Sequence, residues 1–194
     1  MKNTILIVFF CALYQTGTAQ NVVPSIKNNT ELNYICKLHG QTRPLKLTAK
    51  ITSDKLILDL ETRGVKSSIV ILDEALKNGN ALSFNQGEYE PVLHLKPGET
   101  FFMISQSAYQ DLLKNNKFIY NNTTYIQDED PSKNKVMLEG KQLDTVHVIG
   151  QIDETEMWII KSPDYPFICK MTKNPLGINF TLVKITANAN QDKK

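Results

Sequence analysis

Three histidines, His39, His94 and His147, are the side chains best suited to acid–base or metal chemistry at neutral pH, because an unperturbed imidazole titrates at about 6.5. Their spacing brings no two nitrogens to one ion: neither His-x-His nor His-Glu-x-x-His occurs. Each sits in or beside a strand-like stretch, where an imidazole commonly serves polar partners of a sheet. A hydrolase would need His94 or His147 brought to an acid such as Asp144 by the fold, and that enzymatic alternative stays open.

The other reactive types give less. Asp128-Glu129-Asp130 precedes Pro131 but lacks the glycine and spaced oxygens of a calcium loop, so it reads as a solvated turn. Asp144-Thr145-Val146 lacks the glycine of an aspartic-protease motif. Ser105 lies in no Gly-x-Ser-x-Gly elbow and is better placed as a helix cap. No glycine-rich phosphate loop is present. No catalytic residue, metal ligand or cofactor is therefore assigned. Asn-x-Thr sequons, among them Asn28, Asn122 and Asn179, matter only if the host glycosylates.

The first twenty residues, MKNTILIVFFCALYQTGTAQ, carry one lysine, an apolar run from Ile5 to Leu13 and a small, polar end. This is the pattern of a secretory signal peptide cleaved after Ala19 or Gln20. Cys11 falls inside it, and the run is shorter than the about 20 residues of a bilayer span. No later stretch approaches that length, so the sequence predicts a periplasmic or secreted chain without a stable membrane span. Lysine and arginine number 22 against 20 acidic residues, which gives no electrostatic reason to expect nucleic acid as a partner.

Export makes the remaining two cysteines a candidate disulfide. Cys36 shares a strand face with Tyr34 and Leu38, Cys169 with Phe167 and Met171. A bridge would close a loop of more than a hundred residues and stabilise by about 4 to 5 kcal/mol in the chain-entropy model. Two separate buried thiols are the alternative.

These residues must be positioned mostly by strands. Leu32, Tyr34, Cys36 and Leu38 share one strand face by period two, Leu45, Leu47, Ala49 and Ile51 share another, and Leu56, Leu58 and Leu60 follow across a Thr-Ser-Asp-Lys turn. The connections are short, which predicts an antiparallel meander. Ser105 to Asn115 is the one convincing helix, with Ala108, Tyr109, Leu112 and Leu113 on one stripe. Later apolar stretches bring the count to ten to twelve strands. The expected organisation is a signal peptide (1–20), a flexible leader (21–30), one β-rich domain (31–187) and a disordered tail (188–194).

The ending EMWIIKSPDYPFICKMTKNPLGINFTLVKI and the stretch EPVLHLKPGETFFMISQSAYQDLL resemble uncharacterised exported bacterial proteins. In these a sheet curls around a helix in a manner similar to lipoprotein-carrier (LolA-like) half-barrels. The resemblance implies an incomplete antiparallel barrel with a helix against its inner face, and binding of an acyl chain or extended peptide. It transfers no functional residue.

The expected fold is thus a β-rich α+β domain, a curved antiparallel sheet or incomplete barrel with one covering helix. The expected function is non-catalytic binding of a lipid or other apolar small molecule at the inner face of the sheet. Trp158, Phe167 and Met171 would form one end of the wall, with Tyr165 beside them, and Tyr109 and Leu112 would face it from the helix. The third class left open is an envelope-assembly protein that offers a sheet edge to an envelope partner.

Overall fold

A computed structural model describes residues 21–84 and 90–187. The expected signal peptide, Cys11 and the polar tail lie outside the described residues. The chain runs β1 (Thr30–Leu38), β2 (Gln41–Ile51), β3 (Lys55–Thr62), β4 (Val65–Leu72), α1 (Asp73–Asn78), β5 (Ala81–Leu82), β6 (Val92–His94), β7 (Glu99–Thr100) and α2 (Gln106–Asn115). It continues through β8 (Lys117–Tyr120), β9 (Thr123–Gln127), a 3-10 turn (Pro131–Asn134), β10 (Val136–Leu138), β11 (Lys141–Leu143), β12 (Thr145–Gly150), β13 (Glu156–Ile160), β14 (Ile168–Thr172) and β15 (Ile178–Ala187).

The opening meander follows from period-two burial. Leu32, Tyr34 and Cys36 of β1, Leu47 and Ala49 of β2, and Leu56, Leu58 and Leu60 of β3 are buried, while their neighbours are not. Hairpins close through residue pairs with left-handed backbone at both positions: His39–Gly40, Arg63–Gly64, Asn121–Asn122 and Glu139–Gly140. That geometry matches the twist of the flanking strands.

Eleven strands make one sheet in the order β6-β4-β3-β2-β1-β15-β14-β13-β12-β9-β8. Every pairing is antiparallel except β4 with β6. Laid flat, eleven strands would span about 48 Å at the usual spacing. Yet α1 touches β3 and β4 near one end, α2 touches β8 at the other, and the two helices touch each other. The N–H of Asn121 also donates to the Asn80 carbonyl at 2.9 Å, tying the β8 end to the segment after α1. The sheet therefore curls around the helices. Among the described residues its edge strands β6 and β8 do not pair, so the barrel stays incomplete, as the resemblance implies.

Helix α2 starts where expected: the Ser105 hydroxyl accepts from the Ala108 N–H at 3.3 Å, and Asn116 ends the helix in left-handed conformation. Ala108, Tyr109 and Leu112 are buried against the inner face, but Leu113, expected on the same stripe, is exposed. The leader is packed: Val22 bridges Leu143, its N–H donating to the Gln142 carbonyl at 2.9 Å, and Ile26 is buried. Strands β7 and β11, too short and polar to show a period, are additions to the sequence reading.

Candidate functional site

Residues paired laterally in a sheet share a face, so the register assigns each expected wall residue. Cys36, Phe180, Met171, Met157 and Val148 form one row across β1, β15, β14, β13 and β12. This is the inner face, turned to the helices. Lys170, Trp158 and His147 form a row of the opposite parity. Trp158 is thus on the outer face, and the expected wall of Trp158, Phe167 and Met171 is not formed. Phe167 instead bridges Met103 and is fully buried. Tyr109 and Leu112 are core residues of α2, and Tyr165 is half-buried in the loop after β13.

On the outer face, Trp158 and His147 are covered by the turn through Pro131–Asn134. Trp158 Nε1 donates to the Lys133 carbonyl at 2.7 Å, and Asn134 Oδ1 accepts from the His147 N–H at 2.7 Å. The turn takes over as lateral partner of β12 where β9 ends. His147 Nε2 lies 3.3 Å from Glu156 Oε2 in hydrogen-bonding geometry. Its Nδ1 is 3.2 Å from Asp128 Oδ2 but makes no hydrogen bond. Lys133 and Lys173 pair with those carboxylates at 3.0 and 2.6 Å. Burial lowers the His147 pKa despite the pull of Glu156 and Asp128.

These contacts redistribute the histidine and acid expectations. Asp144 pairs with Lys161 at 2.9 Å rather than with a histidine. His147, only 1% exposed and stacked on Trp158, leaves no face for a substrate. His94 is exposed on the edge strand β6, and His39 packs on Gly177 across two turns. Asp128 and Asp130 do form a turn, yet Asp128 directs its carboxylate into the protein rather than to solvent.

The expected bridge between Cys36 and Cys169 is absent: both are buried free thiols. Strand β15 lies between β1 and β14. Two strand spacings, about 9.6 Å, exceed the about 7 Å that a disulfide spans between Cα atoms. Tyr34 crosses the gap instead, its hydroxyl donating to the Ile168 carbonyl at 3.2 Å. The Cys169 thiol donates to the Trp158 carbonyl at 3.2 Å, where the register between β13 and β14 slips.

One part of the inner face is left unfilled. An apolar cavity of about 60 Å³ lies above Cys36 and Leu38 of β1, Arg43 and Leu45 of β2, Leu60 and Thr62 of β3, and Ile178 and Phe180 of β15. Two crossing segments roof it, Leu82–Phe84 and Phe101–Phe102. Phe102 has left-handed backbone, φ 55°, an uncommon state for an aromatic residue. It is held there by the Ile168 N–H, which donates to its carbonyl at 2.8 Å, and by ring contacts with Phe180 and Tyr34 at 4.2 and 4.7 Å. Burial pushes the Cys36 thiol up to about 12, so it stays neutral. Among the described residues Arg43 is the one charged side chain on the cavity wall. Nothing in the sequence marked these residues, because Arg43, Leu45 and Leu60 read as ordinary members of alternating strands.

No family model matches the chain, and no curated protein matches it. The solved structure described as "Crystal structure of MucB" is similar with a TM-score of 0.43 and 12% identity, over 87% of this chain and 56% of that one. The chain thus spans little more than half the length of that structure, and likeness at this level carries no argument about function.

Proposed function

We propose that this protein is an exported, non-catalytic binding protein that takes the apolar part of a small molecule into the inner face of its curved sheet. The observation that carries this reading is the cavity between β1–β3, β15 and the two roofing segments, lined by aliphatic and aromatic side chains with few polar groups. Apolar lining with a few placed polar groups is the usual composition of a ligand site. The LolA-like pattern of the sequence points the same way. At about 60 Å³ the cavity is smaller than the about 150 Å³ that admits benzene. A cavity of this size holds the end of a chain.

The test is titration with n-alkanols from butanol to decanol, followed by methyl NMR. Saturable shifts confined to Leu38, Leu45, Leu60 and Ile178 are expected, and Leu45→Trp should remove them without unfolding the protein. Absence of any saturable shift across the series would overturn the reading.

A second reading, a sheet edge offered to an envelope protein, is favoured by β8. In this hairpin Phe118 and Tyr120 face β9 with their backbone groups, which turns those of Lys117 and Ile119 outward. Ile119 is 65% exposed, and an open groove of about 360 Å³ lies beside the strand. A photo-crosslinker at position 119, used in the native host, should yield one discrete envelope-protein adduct. No adduct would remove this reading.

A further inference from the structure

We propose that Arg43 makes the cavity selective for amphiphiles with a single carboxylate head group, a class exemplified by a fatty acid. The inference rests on the ligand-binding reading of the same cavity and names the chemistry at its mouth. Arg43 pairs laterally with Cys36 in the β1–β2 ladder, which puts its side chain on the inner face. Its neighbours on β2 show what a basic residue of this sheet ordinarily has. Lys46 and Lys50, on the outer face, reach Glu61 and Asp59 across β3 at 2.9 and 2.5 Å.

Arg43 has no such partner among the described residues. Its Nη2 donates to a neutral acceptor, Gln41 Oε1, at 2.9 Å, and its Nε is buried with no acceptor. A buried donor left unpaired costs about 1 to 3 kcal/mol, so an acceptor arriving there is favoured. The described groups around it do not provide the missing charge: Cys36 opposite is a neutral thiol, and the Thr62 hydroxyl donates to the Pro44 carbonyl at 2.6 Å. A guanidinium offers parallel donors that match the two oxygens of a carboxylate. With the head group held at Arg43, the adjoining methylenes lie against Leu45, Leu60 and Phe180.

The experiment compares octanoate with 1-octanol at pH 7.5, on the wild-type chain and on Arg43→Met, by NMR titration. Wild type is expected to bind octanoate at least about tenfold more tightly than octanol. Arg43→Met should bring the two to equal affinity while octanol binding is kept, and Arg43→Lys, which keeps charge but loses the fork, should fall between. Equal affinity for both ligands in wild type would overturn the head-group assignment and leave the apolar cavity standing. Failure of both ligands to bind wild type would overturn the cavity reading and this one with it. Should Arg43→Met fail to fold, raising ionic strength on wild type gives the same test: octanoate binding must weaken and octanol binding must not.

Discussion

His147 and Trp158 stack face to face across β12 and β13, with ring centroids 4.2 Å apart and planes 17° from parallel. Lys170, their lateral neighbour on β14, holds its ammonium 4.1 Å from the indole centroid. The row of three lies on the side of the sheet away from the cavity. Together with Asp128, Glu156, Lys133 and Lys173 it fastens the turn at 128–135 onto the sheet, so the only arrangement of histidine with acids in the described residues acts on structure.

Acid should loosen this layer first. Burial lowers the pKa of His147 even with Glu156 and Asp128 beside it. The folded state therefore binds its proton less readily than the unfolded chain, and stability falls as pH drops below the ordinary imidazole value of about 6.5. Asp128 is held low by the Asp130 N–H and Lys133. Glu156, which burial alone would raise, is brought low by Lys173 and His147. Their contribution is present above the ordinary carboxylate range and is lost as pH falls through it, in the same direction. Urea unfolding at pH 8, 6 and 5 should show a declining midpoint for wild type and a nearly flat one for His147→Gln. A flat wild-type profile between pH 8 and 5 would contradict the assignment.

Trp158 should matter for stability and not for ligand binding. Trp158→Ala removes a large buried side chain, the stack and the bond to the Lys133 carbonyl, and should cost about 3 to 5 kcal/mol. Trp158→Phe keeps an aromatic face but loses the Nε1 donor, with an expected cost of about 1 to 3 kcal/mol from the stranded carbonyl and lost volume. Denaturant unfolding followed by circular dichroism gives both values. Alkanol titration of folded Trp158→Phe should match wild type, and loss of binding there would place Trp158 at the cavity after all.

The sequence is legible where one face of a strand is buried and the other is wet. In β1, β2 and β3 the alternation of Leu32, Leu47 and Leu60 with polar neighbours names the inner face without ambiguity. In β12 and β13 both faces are covered, by the core on one side and the 128–135 turn on the other, so Met157, Trp158, Ile159 and Ile160 are all buried. Period two then says nothing about direction. Trp158 pairs with Lys170 and Met157 with Met171, and it is this register, not the period of either strand, that puts Trp158 on the face opposite Met171. The cavity is illegible for another reason: it exists because Leu82–Phe84 and Phe101–Phe102 cross β1–β3, a contact between segments distant along the chain.

The thiols give a check on strand order. Because β15 separates β1 from β14, alkylation of denatured protein without reductant should modify Cys36 and Cys169 fully, and peptide mapping should find no linked pair. In the native state both should react slowly, since burial pushes each thiol up to about 12 and only the thiolate is the nucleophile. A linked Cys36–Cys169 peptide would require these strands to be neighbours and would overturn the order of the sheet.

The Asn121–Asn122 turn links the outer hairpin to the cavity roof and separates two effects. Both residues have left-handed backbone, φ 50° and 59°, which glycine adopts without strain. Asn122→Gly should therefore leave stability unchanged or raise it by a few tenths of a kcal/mol. Asn121 does more: its Oδ1 accepts from the Leu82 N–H at 3.0 Å and its Nδ2 donates to the Leu82 carbonyl at 3.4 Å. Asn121→Gly keeps the turn but strands both groups of Leu82, with an expected cost of about 1 to 3 kcal/mol. Hydrogen exchange should then quicken at Leu82 and Ser83, and alkanol on-rates should rise as the roof loosens. Identical behaviour of the two glycine variants would mean that the Asn121 side chain does not hold the roof.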